Sequence, residues 1–391
     1  MNQINPASLT SLLKKTVSEL SIQPEFAWED GIQTFATDPD DSPAVRVGVG
    51  CCSPDFDLWD GLRNPAAVGL YPAGFEEIWD YYANRRKQKT DEFGRATIFQ
   101  VASTFAEAKK RYSRALVVSV MLPVASEVYS KYNTVIHDSG QAPWEGYAKV
   151  WDEVNKLIDT GITRSVYHLM DDSRAMVVLN GDTVGRVSTE SVPATHQGAS
   201  HGVCKGGNFP QKSVAVLTGL AQFGISRLVF RDEVSSGQHR RLIGPLRSLV
   251  IFDKGSVDNA EENGIVEITD DWKRELAQLS DFSFTAGEVN SKRHCTYIPE
   301  SGEKGCGKCI AYCPSRALLN SSPQNNGEYS EKVNGQDHRF WDGQLQFDNG
   351  SCCDERGQLA SLYDEWMCGR CLSICAGEGF IREAAAHAEA L

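Results

Sequence analysis

Nowhere in this 391-residue chain does an apolar run approach the roughly 18 residues that a bilayer-crossing helix needs, so no membrane span is expected. The opening residues, Met1-Asn2-Gln3-Ile4-Asn5-Pro6, hold neither a positive region leading into an apolar core nor a twin-arginine pair. The expected location is cytoplasmic, where reducing conditions keep thiols available. Positive charge is also scarce: 39 Lys and Arg stand against 52 Asp and Glu, a formal net charge of -13. Nucleic-acid binding rests on clustered Lys and Arg facing phosphates, so the balance argues against a nucleic-acid partner. Apolar residues are not lacking. At 41% they supply a core for two domains, or for one large domain and a small appended one.

What the chain does have is cysteine, unevenly placed. Nine of its 12 cysteines lie between Cys295 and Cys375. They include Cys306-Gly-Lys-Cys309-Ile-Ala-Tyr-Cys313-Pro314 and Cys368-Gly-Arg-Cys371-Leu-Ser-Ile-Cys375, separated by a polar loop with a Cys352-Cys353 pair. Two C-x2-C-x3-C runs are the spacing of a ferredoxin-like module with two clusters. The C-x2-C step wraps a tight turn that faces two thiolates and the intervening amides toward one iron-sulfur cube. The third cysteine turns its sulfur to the neighbouring cube, so Cys313 and Cys375 are expected to cross over. Glu303 stands where such a run usually begins, and Cys295, upstream of a loop with Pro299, Gly302 and Gly305, is the expected substitute. One 4Fe-4S cluster is thus assigned to Cys295, Cys306, Cys309 and Cys375. The other takes Cys313, Cys368, Cys371 and one of Cys352 or Cys353. Structural zinc closes with four ligands and does not account for the extra C-x3-C step.

Before the cysteines, apolar periodicity predicts a surface helix over 7–21 and a loop over 22–44. A strand follows near 44–54, with Cys51 and Cys52 as buried small residues. A helix with the basic end Arg85-Arg86-Lys87 is predicted over 73–90. A doubly covered strand is predicted over 114–123. A helix over 143–159 is expected to stop at Gly161, and the apolar Met176–Leu179 to run into an Asn180-Gly181-Asp182 turn. The segment from Gln211 reads as a helix broken by Gly224, then a strand over Ser226–Phe230 and a turn through Gly237. A second strand over Arg240–Asp253 and a charged linker near 254–274 complete the region.

This order of a small-residue helix, strand, Arg-rich turn, strand ending in Asp, linker and paired cysteine runs resembles the cobalamin-dependent iron-sulfur reductases. That superfamily includes reductive dehalogenases and epoxyqueuosine reductase. The resemblance spans 112–377 and is carried by Ala215–Gly224, Arg241–Asp253, Cys306–Ala317 and Asp348–Cys375, with Thr218-Gly219-Leu220-Ala221 in place of the family's Ala-Gly-Leu-Gly. It implies an α/β (α+β) nitroreductase-like domain followed by a ferredoxin-like two-cluster module. The implied divisions are an N-terminal α/β extension over 1–110, a corrinoid and substrate domain over 111–285 and the cluster domain over 286–391. It matches Cys352, rather than Cys353, to the family's loop ligand. It further implies cobalamin held near Thr218, Gly219, Leu220, Gly224 and Arg241. Tyr147, Tyr167 and Arg241 become catalytic candidates, with His168, His196, His201 and Cys204 as further polar groups. The implied activity is reductive cleavage of a small-molecule bond, dehalogenase-like, fed by an external low-potential donor such as ferredoxin or flavodoxin. The alternative is an electron-transfer or corrinoid-handling protein without turnover of its own.

Overall fold

The computed structural model describes residues 4–24, 33–60, 104–129, 144–167, 174–179, 211–224, 228–235, 238–258, 264–279, 328–333 and 336–341. It also describes shorter pieces at 74–76, 78–79, 169, 226, 260, 292, 294–295, 309, 371 and 375. These residues form a mixed α/β structure built on a five-stranded sheet.

Helix α1 (Pro6–Ser21) starts where Asn5 accepts the Ser8 amide hydrogen at 3.1 Å and Pro6 supplies a preset φ. Strand β1 (Arg46–Cys52) follows, then α2 (Phe105–Arg111), whose Thr104 hydroxyl accepts from the Glu107 amide. Strand β2 (Arg114–Met121) is buried at every position, as its unbroken apolar run predicts. Helix α3 (Trp144–Tyr167) and strand β3 (Ala175–Leu179) precede α4 (Gln211–Leu217). Three short strands, β4 (Gln222–Phe223), β5 (Val229–Ser235) and β6 (Gln238–Leu242), form their own antiparallel sheet. Strand β7 (Leu246–Asp253), β8 (Val266–Glu267) and α5 (Asp270–Leu279) complete this part, and β9 (Glu328–Val333) pairs with β10 (Gln336–Trp341).

The large sheet has the order β3-β7-β2-β1-β8, antiparallel except where β8 joins β1. One face carries Cys52, Ala115, Val117 and Phe252 under α2, α4 and α5. The other carries Cys51, Leu116, Val118 and Ile251 under α1 and α3. Because β1 pairs with β2 from Arg46↔Met121 to Cys52↔Ala115, the sheet runs through the expected boundary at residue 110.

Several expectations are corrected. Helix α3 does not stop at Gly161 but continues to Tyr167. A Cβ at Gly161 would lie 2.7 Å from a Val17 methyl, so the glycine permits close approach of α1 rather than ending a helix. The surface helix predicted over 7–21 is present as α1, and its apolar stripe, Leu9, Leu13, Val17 and Leu20, is the face it buries. The predicted strand over Arg240–Asp253 is two strands, parted at Gly244, where a Cβ would stand 2.2 Å from the Leu122 carbonyl oxygen. The predicted linker near 254–274 contains β8 and the first half of α5. The helix predicted to reach Gly224 ends at Leu217, and the loop between the cysteine runs contains the β9–β10 hairpin.

Candidate functional site

The antiparallel pairing of β5 with β6 sets Asp232 opposite Arg241 and Glu233 opposite Arg240. Alternation along the strands then sends the two pairs to opposite faces.

On one face, Arg241 Nε donates to Asp232 Oδ1 at 2.9 Å and Nη2 donates to Oδ2 at 3.4 Å. Nη2 also donates to the His294 carbonyl oxygen at 3.3 Å, and Nη1 donates to Cys375 Sγ at 3.2 Å. The guanidinium lies 4.2 Å from the Phe230 ring centroid. His294 is fixed in turn: its amide donates to Gln222 Oε1 at 2.9 Å, and its Nδ1 accepts the Asp232 amide hydrogen at 3.4 Å. Gln222 Nε2 donates to the Lys292 carbonyl at 2.9 Å, so β4 holds the segment leading into Cys295 from both sides. Burial works against the Arg241 charge, but the Cys375 sulfur and the Asp232 carboxylate outweigh it and hold its pKa above the ordinary value. Burial lowers the His294 pKa, with Arg241 and Arg231 pushing the same way against Asp232.

On the opposite face, Arg46 forks to Glu233 at 2.6 and 2.7 Å and to Asp38 at 2.6 and 3.0 Å. Arg240 adds bonds to Asp38, Glu233 and the Thr37 carbonyl, and Arg231 donates to Glu233 at 3.0 Å. The Arg46 hydrogen bonds are the largest cause holding Glu233 down, from 4.5 to about 2. A depressed carboxyl stabilises the fold above its unfolded pKa and loses that contribution as pH falls through its folded value. Glu233→Gln is therefore expected to flatten the loss of stability between pH 4.5 and about 2, read as denaturation midpoints across that window. An unchanged slope would show that the network is not linked to acid unfolding.

The predicted metal ligands divide cleanly. Cys295 and Cys309 are buried, and Cys371 and Cys375 half-buried. Cys306, Cys313, Cys352 and Cys368 lie outside the described residues, as do Cys204, His168, His196 and His201. Among the described residues no group of three His, Cys, Asp or Glu is gathered to hold a metal ion. One of the thiols, Cys375, meets a cationic hydrogen-bond donor, Arg241.

The residues expected to cradle a corrin pack against other parts of the chain. Gly219, at φ +66°, ends α4: its amide donates to the Val216 carbonyl and the Leu220 amide to the Ala215 carbonyl, a left-handed helix cap. A Cβ there would meet Val266 at 3.2 Å. The Thr218 hydroxyl donates to Ala215 and packs over Gly48, and Leu220 is buried. At Gly224 a Cβ would touch the Phe230 ring at 2.7 Å. At both glycines the Cβ direction is occupied by the chain's own side chains.

The catalytic candidates separate too. Tyr147 and Tyr167 both belong to α3, and at about 1.5 Å per residue they stand roughly 30 Å apart along it. At most one can serve a single site. Arg241, the third candidate, points its donors at Asp232, the His294 carbonyl and Cys375. Cys51 and Cys52 lie in the core at the far end of β1 from Arg46. Burial raises both thiols, Cys51 to about 11, so neither is a reactive thiolate.

Asp232, His294, Gln222 and Phe230 went unpredicted. Two signals in the sequence bore on them: the Ser236-Gly237 pair midway between Asp232 and Arg241, and the adjacency of His294 to Cys295. The chain matches no protein-family model, no curated protein and no solved structure. Among the described residues no helix is long and apolar enough to cross a membrane.

Proposed function

We propose that the chain is a cytoplasmic iron-sulfur oxidoreductase. It takes electrons from an external low-potential donor such as ferredoxin or flavodoxin and delivers them, through two 4Fe-4S clusters, to reductive cleavage of a bond in a small molecule. The observation that supports this reading most is the Arg241 guanidinium, which reaches both Cys375 Sγ and the backbone carbonyl next to Cys295. Those cysteines come from different parts of the cysteine-rich region and were assigned to one cluster from spacing. Clusters, when bound, supply one-electron transfer at potentials set by charge, hydrogen bonds to sulfur and solvent access. The chain's share is to bury Cys295 and Cys309 away from water, to orient the 292–295 segment through Gln222 and Asp232, and to hold a cation beside a ligand sulfur.

Corrinoid dependence enters from the family resemblance, and the filled surroundings of Gly219 and Gly224 weigh against it. That observation favours a second reading: a cluster-bearing electron-transfer protein, or a reductase that uses no cobalamin. Anaerobic purification tests both. About eight iron and eight labile sulfide per chain are expected, and stoichiometric zinc in their place sinks the proposal. Visible absorption after reconstitution with cobalamin then separates the two readings. Corrin uptake with turnover of halogenated substrates favours the dehalogenase-like reductase, and intact clusters without corrin uptake favour the second reading.

A further inference from the structure

We infer that Arg241 is the positioning residue of the cluster that Cys375 and Cys295 share, and that it sets that cluster's reduction potential through the hydrogen bond to Cys375. The inference rests on the two-cluster reading and adds the role of a residue which spacing could not assign.

The guanidinium is held on every side. Asp232 takes two of its donors, His294 takes a third through its carbonyl, and Phe230 lies against its face. Its relative exposure is 8%, so this is a buried cation, and such a group needs its charge matched and its donors used. Among the described residues Asp232 pairs with the charge through two oxygens. The bond to Cys375 Sγ is additional, and its direction is fixed by the planar fork, which a lysine ammonium does not reproduce.

Two consequences follow from that geometry. One guanidinium links the final cysteine of the second run to the backbone preceding Cys295, so the crossing of Cys375 to the first cluster is built into the small sheet. A cationic N–H at a ligand sulfur also stabilises the more negative, reduced state of a cluster. It therefore raises the potential of that cluster and leaves the other alone.

The test uses the full-length, anaerobically purified protein and potentiometric titration followed by electron paramagnetic resonance. Arg241→Gln is the direct variant, and the double change Asp232→Asn with Arg241→Gln strands no buried charge. Arg241→Lys keeps the charge without the fork. In the Gln variants one of the two midpoints is expected to move negative, a roughly tenfold drop in its reduced-to-oxidised ratio, or ~59 mV for a one-electron couple. The other midpoint stays in place, and Arg241→Lys falls between. Loss of about four iron with the remaining cluster unshifted also supports the inference, since it shows that the tether is required. Two unshifted midpoints in all variants refute the role of Arg241 while leaving the two-cluster reading standing. Unfolding of all three variants refutes it as well, because the residue would then be purely structural. A wild-type chain without iron removes both readings.

Discussion

Asp253→Ala lowers the stability of the chain by about 3–5 kcal/mol, the expected cost of stranding one member of a buried ion pair. Asp253 Oδ1 and Oδ2 accept from Arg114 Nε and Nη2 at 2.9 and 2.6 Å, and both residues are almost wholly inaccessible. The same carboxylate accepts the Ile4 amide at 2.9 Å and the Gly255 amide at 3.0 Å, while Arg114 donates to the Ile4 carbonyl. The pair thus ties the segment preceding α1 to the end of the central strands. A Cβ at Gly255 would meet the guanidinium at 2.4 Å, which shows how closely the loop is folded over it. Denaturant midpoints check the expectation. A loss below about 1 kcal/mol, the range of exposed pairs, would show that the site is solvated in solution. Combining Asp253→Ala with Arg114→Met is expected to cost less than the sum of the single changes, because each single change leaves one charge alone.

Cys309→Ser and Cys371→Ser each take the iron count from about eight to about four per chain and abolish reductive turnover, if the assigned ligand sets hold. The two variants remove different clusters, so their remaining paramagnetic signals differ. Cys51→Ala is the control. Its thiol is buried in the sheet core, with burial raising its pKa to about 11, and its loss leaves the iron count unchanged. Full iron in either serine variant refutes the ligand assignment, and parallel loss of all iron in both refutes two independent clusters.

Much of the fold was legible wherever a local signal and the tertiary demand coincide. The unbroken apolar run of β2 needs only coverage on both faces, and α1 begins at Asn5-Pro6 because capping is a property of adjacent residues. The errors arose where a local signal has two physical uses. Gly161 is a poor helix former, yet it sits inside α3 because Val17 of another helix packs against it. Gly219, expected beside a ligand, also caps a helix, and Gly224 lies against a ring. The first half of helix α5 falls in the charged segment expected as linker. Its Lys273 is buried nonetheless, with Nζ donating to the Asp57 and Asp60 carbonyls at 2.9 and 2.7 Å. No window of neighbouring residues carries a bond between positions more than two hundred apart.

The cysteine spacing, the charge balance and the missing apolar span belong to the chain read as a string, because each depends on residues near one another or on a total. Which guanidinium would meet which sulfur was decided only in three dimensions. Arg241, His294 and Cys375 are remote in sequence, and a strand register, a half-buried carboxylate and a glutamine amide bring them together around one cation.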